Sequence, residues 1–147
     1  MTGHYDGELW GCATSPDDKY YATSGGDNTI RIWDVILRKQ VAVYKHKEDV
    51  RAVDWAKNGE FVLGGDGEGN LVLLHKSDWT KAAVEYTSTF RRGKQWIEDV
   101  KISPDSTMAA FGTHMGVSKI EVVTIEASST GCSIKKKGLI NVGFTTA

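Results

Sequence analysis

Apolar and polar residues alternate along most of the chain. In the segment at 29–33, Ile30 and Ile32 share one face, with Thr29, Arg31 and Trp33 on the other. Val50, Ala52 and Asp54 stand opposite Arg51, Val53 and Trp55, and Ile97, Val100 and Ile102 supply an apolar face to a third segment. A period of two predicts β-strands, and no stretch keeps helical periodicity beyond about two turns. The pattern places strands near 9–14, 19–24, 29–33 and 40–45, then 50–55, 60–64, 70–75 and 82–87, then 97–102, 107–112, 118–125 and 132–136. Ser15-Pro16-Asp17-Asp18, Ala56-Lys57-Asn58-Gly59 and Ser103-Pro104-Asp105-Ser106 each separate two such strands. They read as tight turns, because proline presets φ and Asp or Asn bonds back to the backbone.

These turns recur after 41 and 47 residues, close to the roughly 40–45 residues of one four-stranded propeller blade. The segment Ser24-Gly25-Gly26-Asp27-Asn28-Thr29-Ile30-Arg31-Ile32-Trp33-Asp34 runs from a turn into a strand ending in Trp-Asp, as in a WD-type blade. The expected fold class is all-β, a WD40-type β-propeller segment of about three four-stranded antiparallel blades. Blade one is expected over about 4–46, blade two over about 47–90 and blade three over about 91–137. Ile140, Val142 and Phe144 alternate with polar or small residues, so 138–147 is expected to begin a further blade. Natural propellers close with about 4–8 blades. An incomplete propeller is therefore either a piece of a larger ring or a chain that completes itself by self-association.

Composition narrows the function. The 147 residues include 25% charged and 40% hydrophobic positions, with a net charge of -1. Nothing global points to nucleic acid or a membrane as partner. Cys12 and Cys132 fit no zinc or redox spacing and read as reduced thiols of a cytoplasmic protein. The N-terminal residues show neither the basic start nor the apolar stretch of a signal peptide.

His4-Tyr5-Asp6-Gly7-Glu8-Leu9-Trp10-Gly11-Cys12-Ala13-Thr14 resembles the H-x-x-E-L-W-G-L-A-T-H-P opening of a blade in the echinoderm microtubule-associated protein-like family. One extra residue, Gly7, precedes Glu8-Leu9-Trp10. Arg91-Arg92 followed by Ile97-Glu98-Asp99-Val100-Lys101-Ile102-Ser103-Pro104-Asp105-Ser106 is similar to that family's R-R…I-Q-D-I-R-F-S-P-D-S. The likeness covers roughly residues 4–125. It implies a scaffold that binds tubulin or microtubules, in the cytoplasm and on the cytoskeleton. The family's hydrophobic motif and coiled coil ahead of the propeller, which contribute to microtubule attachment, have no counterpart in this sequence.

WD blades also imply a hydrogen-bonded relay, here His4, Thr23, Asp27 and Trp33, with a structural role. Blade two carries Gly64 and Leu74 at the Thr and Trp positions, so only blade one is expected to hold it. Gly65-Asp66-Gly67-Glu68-Gly69-Asn70 fails as a calcium loop, with Leu71 where glycine is needed and Ser77 where a bidentate Glu is needed. It fails as a phosphate loop because no Lys-Ser/Thr follows. His46, His75 and His114 have no metal spacing. The expectation is no enzyme, no catalytic residue, no metal and no cofactor. The candidate partner-binding residues are Arg91, Arg92, Lys94 and Trp96, a basic and aromatic loop entering blade three. Lys135-Lys136-Lys137 reads instead as protection of an outer strand against edge pairing.

Overall fold

The structure is a computed structural model that describes residues 8–88, 95–113 and 119–141. Among these residues the chain forms three four-stranded antiparallel sheets. The first contains β1 (Leu9–Thr14), β2 (Tyr20–Gly25), β3 (Thr29–Asp34) and β4 (Lys39–Lys45). The second contains β5 (Val50–Trp55), β6 (Phe61–Asp66), β7 (Asn70–His75) and β8 (Val84–Thr87). The third contains β9 (Ile97–Ile102), β10 (Met108–Thr113), β11 (Lys119–Ser128) and β12 (Gly131–Asn141). Within each sheet the strands pair in chain order. The first strands pack together, β1 on β5 and β5 on β9, and so form the inner edge of the three blades.

The three turns after the first strands share one geometry. Asp18, Gly59 and Ser106 occupy the same place and have φ of 61°, 77° and 62°. In the first turn Ser15 Oγ donates to Asp17 Oδ1 at 2.6 Å and accepts from Tyr20 N at 3.0 Å. In the third, Ser103 Oγ donates to Asp105 Oδ1 at 2.6 Å and accepts from Met108 N at 3.0 Å. The side chains thus satisfy backbone groups that a tight turn would leave open.

Strand alternation sorts each blade into two faces. Ala22, Ile30 and Ile32 of blade one, with Tyr20 packed beside them, meet Val53, Trp55, Val62, Val72 and Leu74 of blade two. The other face of blade two carries Phe61, Leu63, Leu71 and Leu73 against Ile97, Val100, Phe111, Val123 and Ile125 of blade three. Each such buried side chain contributes roughly 1.5–3 kcal/mol. Polar bonds also clasp blades two and three. Ile102 N donates to Asp54 Oδ2 at 2.8 Å, and Asn58 N donates to Ser106 Oγ at 3.1 Å.

One boundary differs from expectation. The stretch from 138 onward stays in the third sheet as far as Asn141 instead of opening a further blade. Leu139 pairs with Glu121 and Ile140 with Ile120, beyond a register shift that leaves Lys137 as an extra residue. The first half of β11 needs backbone partners, and β12 supplies them by running on past this bulge. Val142 and Phe144 lie outside the described residues.

Candidate interaction rim and buried relays

The inner strands present a three-blade stack at their N-terminal end. Trp10 sits on β1, Arg51 on β5, and Trp96 immediately before β9. The Arg51 guanidinium carbon lies 4.2 Å from the Trp10 ring centre and 4.4 Å from that of Trp96. Its Nε donates to Asp49 Oδ2 at 2.8 Å, which sets the plane of the guanidinium between the two rings. Each indole is held from behind: Trp10 Nε1 donates to Glu8 Oε2 at 2.8 Å, and Trp96 Nε1 to Glu98 Oε2 at 3.0 Å. Cation–π contacts of this kind contribute about 0.5–1 kcal/mol each at exposed sites. Trp10 remains 37% exposed. The stack therefore ties the blades together and shows an indole edge and a guanidinium to solvent. Of the four candidate partner-binding residues, Trp96 is in this stack. Arg91, Arg92 and Lys94 lie outside the described residues.

One link of the relay expected in blade one lies among the described residues. Trp33 Nε1 donates to Thr23 Oγ1 at 2.9 Å, and Trp33 stacks on Tyr21 with ring centres 6.1 Å apart. Asp27 Oδ1 accepts from Thr29 N at 3.2 Å and Thr29 Oγ1 at 2.8 Å, which closes the turn ahead of β3. His4 lies outside the described residues.

Blade two holds a relay that the sequence reading denied it. His46 Nε2 meets Asp66 Oδ2 at 2.9 Å, and Tyr44 OH meets His46 Nδ1 at 2.7 Å. An imidazole with its proton on Nε2 donates to the carboxylate and accepts from the phenol, so the chain of bonds is complete. Asp66 also accepts from Glu68 N at 2.9 Å, Asn70 N at 2.8 Å and Asn70 Nδ2 at 3.2 Å. Burial pushes its pKa up, but the bonds from His46, Asn70 and Glu68 prevail and hold it below the ordinary carboxylate value. Burial, with the nearby Glu85 and Asp66 charges, pushes the Tyr44 hydroxyl up to about 12. The loss of Thr and Trp at 64 and 74 removes only half of the relay. The signal for the rest was a histidine ahead of a first strand and an Asp in the turn after the second, as in blade one. The same Asp66 bonds explain why the Gly-rich segment is a turn: its carboxylate is spent on the chain itself.

A second buried carboxylate, Glu121 on β11, accepts from Tyr86 OH across the junction of blades two and three, and from Ser88 Oγ at 3.4 Å. Burial and this bond raise the Tyr86 pKa. Lys135, Lys136 and Lys137 lie exposed along the edge strand β12.

Comparison with known proteins agrees with this architecture. The family described as "WD domain, G-beta repeat" matches residues 1–34 and 38–73. The chain is similar to the ciliary WD repeat-containing protein ctxp80 of Euplotoides octocarinatus, 33% identical over 132 residues, covering 78% of this chain and 18% of that protein. It is similar to the ribosome biogenesis protein WDR12 homolog of Drosophila virilis, 26% identical over 136 residues, covering 88% of this chain and 32% of that protein. It also resembles the serine-threonine kinase receptor-associated protein of Gallus gallus, 23% identical over 145 residues, covering 95% of this chain and 41% of that protein. The chain thus spans well under half the length of these curated relatives. WD40 repeats are generally non-catalytic scaffolds for protein–protein interaction. Repeat match, blade order and strand register converge: this chain carries WD40 repeats folded as part of a WD40-type β-propeller.

Proposed function

We propose that this chain is a non-catalytic interaction module of a larger WD-repeat scaffold, and that its partner docks at the rim carrying Trp10, Arg51 and Trp96. The single observation behind this reading is the Trp–Arg–Trp stack spanning three blades. Tryptophan and arginine are the residues most enriched among strong interface anchors. Here they are already ordered, so little side-chain entropy is lost on docking.

The finer proposal is that the partner is tubulin or a microtubule, in the cytoplasm and on the cytoskeleton. Its supports are the blade-opening resemblance, the basic residues Arg91, Arg92 and Lys94 beside Trp96 in sequence, and one relative named as ciliary. Tubulin presents acidic surfaces, and a local basic loop acts over about one Debye length, ~8 Å at physiological salt. The names of the other relatives, in ribosome biogenesis and in association with a kinase receptor, favour the second reading, a scaffold for some other protein complex.

Co-sedimentation with polymerised tubulin tests the finer proposal. The chain should pellet with microtubules at low salt and release as salt rises. Combined Arg91→Glu and Arg92→Glu changes should weaken binding by roughly tenfold or more, the loss expected of an anchor cluster. A chain that stays in the supernatant at low salt leaves the general scaffold reading and removes tubulin.

A further inference from the structure

A cleft of about 500 Å³ opens between blades one and two. It lies at the C-terminal ends of β1 and β5, away from the Trp10–Arg51–Trp96 rim. Sites that hold ligands commonly measure about 300–1,000 Å³.

The walls are aromatic. Trp55 ends β5 and is nearly buried, and Trp79 from the β7–β8 connection meets it edge-on, with ring centres 5.2 Å apart at 61°. Tyr20 and Pro16 form the blade-one side. Gly59, at φ 77°, leaves the opening free of a side chain at the turn between β5 and β6.

Two charged side chains stand on the lips, and they are not equivalent. Lys76 Nζ lies 2.8 Å from Glu60 Oε2, so its charge is already matched. Asp17 accepts only neutral donors, Ser15 Oγ at 2.6 Å and Lys19 N at 3.0 Å. Among the described residues no cationic side chain lies within ion-pair distance of it. Those donors, Ser15 first, with a smaller contribution from the Lys19 charge, hold its carboxyl below the usual range, so it is charged at neutral pH. The charge on the cleft left for a partner to match is negative.

Indole and phenol walls beside an unmatched carboxylate fit one kind of occupant well. An extended proline-rich segment lays its rings on aromatic faces, and because its left-handed helix is preformed it loses little entropy on binding. An arginine at its end supplies a charge-assisted hydrogen bond to the carboxylate. We propose that this cleft is a docking site for a proline-rich segment of a partner protein, oriented by an arginine that pairs with Asp17. The inference rests on the reading of the chain as an interaction module, and it adds a second surface at the opposite rim.

The test uses the full chain and two synthetic peptides of repeated proline and leucine, one ending in arginine and one in glutamate. Indole N–H signals report the site by NMR, and fluorescence anisotropy reports affinity. The arginine peptide should shift the signals of Trp55 and Trp79 and leave that of Trp33 in place. Asp17→Asn keeps an oxygen for Ser15 and Lys19 and removes the charge. It should weaken the arginine peptide by about tenfold and erase its advantage over the glutamate peptide. Trp79→Ala, checked for folding by circular dichroism, should weaken both peptides. Unmoved Trp55 and Trp79 signals would overturn the site, and equal affinity of the two peptides for the unaltered chain would overturn the role of Asp17. Neither substitution should alter pelleting with microtubules, so the cleft and the tubulin contact can fail independently.

Discussion

The two relays show how few residues are needed to fix a blade edge. Trp33 and Thr23 were legible in the sequence because the Trp-Asp strand ending and the paired Thr form a known pattern. His46 and Asp66 were harder to read, because Gly64 and Leu74 break that pattern and mask the histidine and turn carboxylate that still meet. Asp66→Asn should test the value of this pair. The amide keeps one acceptor for the turn, but it places an N–H₂ or a neutral oxygen opposite His46. Loss of a buried charged acceptor costs about 1–3 kcal/mol, read as a lower denaturant midpoint at neutral pH. The same variant should change the acid response. Asp66 is held below the ordinary carboxylate value, and Asp105 to about 2 by the Ser103 and Thr107 hydroxyls and the Thr107 N–H. In the unfolded chain an Asp titrates near ~3.9, so the unfolded state takes up protons first as pH falls. The stability these groups contribute is present above the unfolded value and is lost as pH falls through their lower folded values, about 2 in the case of Asp105. A titration of stability from neutral pH downward should be shallower for Asp66→Asn than for the unaltered chain. An identical slope would mean that Asp66 carries no linkage.

Elements were readable where alternation and turn chemistry agreed, which covers β1 to β10. The turn residues mattered most: Pro and Asp in the first and third turns, and Asn58-Gly59 in the second, define the three φ-positive corners at Asp18, Gly59 and Ser106. The last hairpin was misread because Lys135-Lys136-Lys137 and Gly138 resemble the end of a strand, whereas a single bulge lets β12 continue to Asn141. Blade spacing was not readable at all, since it depends on which glycine meets which side chain across a junction. Gly65 and Gly112 hold the same position in blades two and three. A Cβ on Gly65 would stand 2.6 Å from Ile97 Cγ2, and one on Gly112 would meet nothing within 4 Å. Gly65→Ala should therefore force β9 away from β6 and destabilise the chain by about 1–3 kcal/mol, the usual range for overpacking. Gly112→Ala should be neutral within about 0.5 kcal/mol. Thermal unfolding of the two variants side by side checks the difference, and equal midpoints would show that the blade junction can relax.

At the scale of the molecule, the repeat makes one surface conspicuous. Tyr20, Ala22, Ile30 and Ile32 of blade one are covered by blade two, and Phe61, Leu63, Leu71 and Leu73 of blade two by blade three. The matching residues of blade three are Met108, Ala110, Ile120 and Val122, and they are only half-buried. Shallow apolar hollows of about 270 and 180 Å³ open on this face. The opposite face of blade one is different, since Trp33 there is 4% exposed and Thr23 6%. The flanks of this partial propeller are therefore unequal. A face built to receive a blade attracts any sheet of suitable shape, including one from a second copy. The isolated chain should accordingly associate as concentration rises, with light scattering showing an average mass that approaches about twice the monomer's. Val122→Lys places a charge in the middle of that face and points it away from the core between blades two and three. It should return the chain to a monomer while leaving its stability, read from thermal unfolding, within about 0.5 kcal/mol of the original. A chain that is monomeric throughout the series, or an associated form that Val122→Lys leaves intact, would show that the third blade's open face is not the surface through which copies meet.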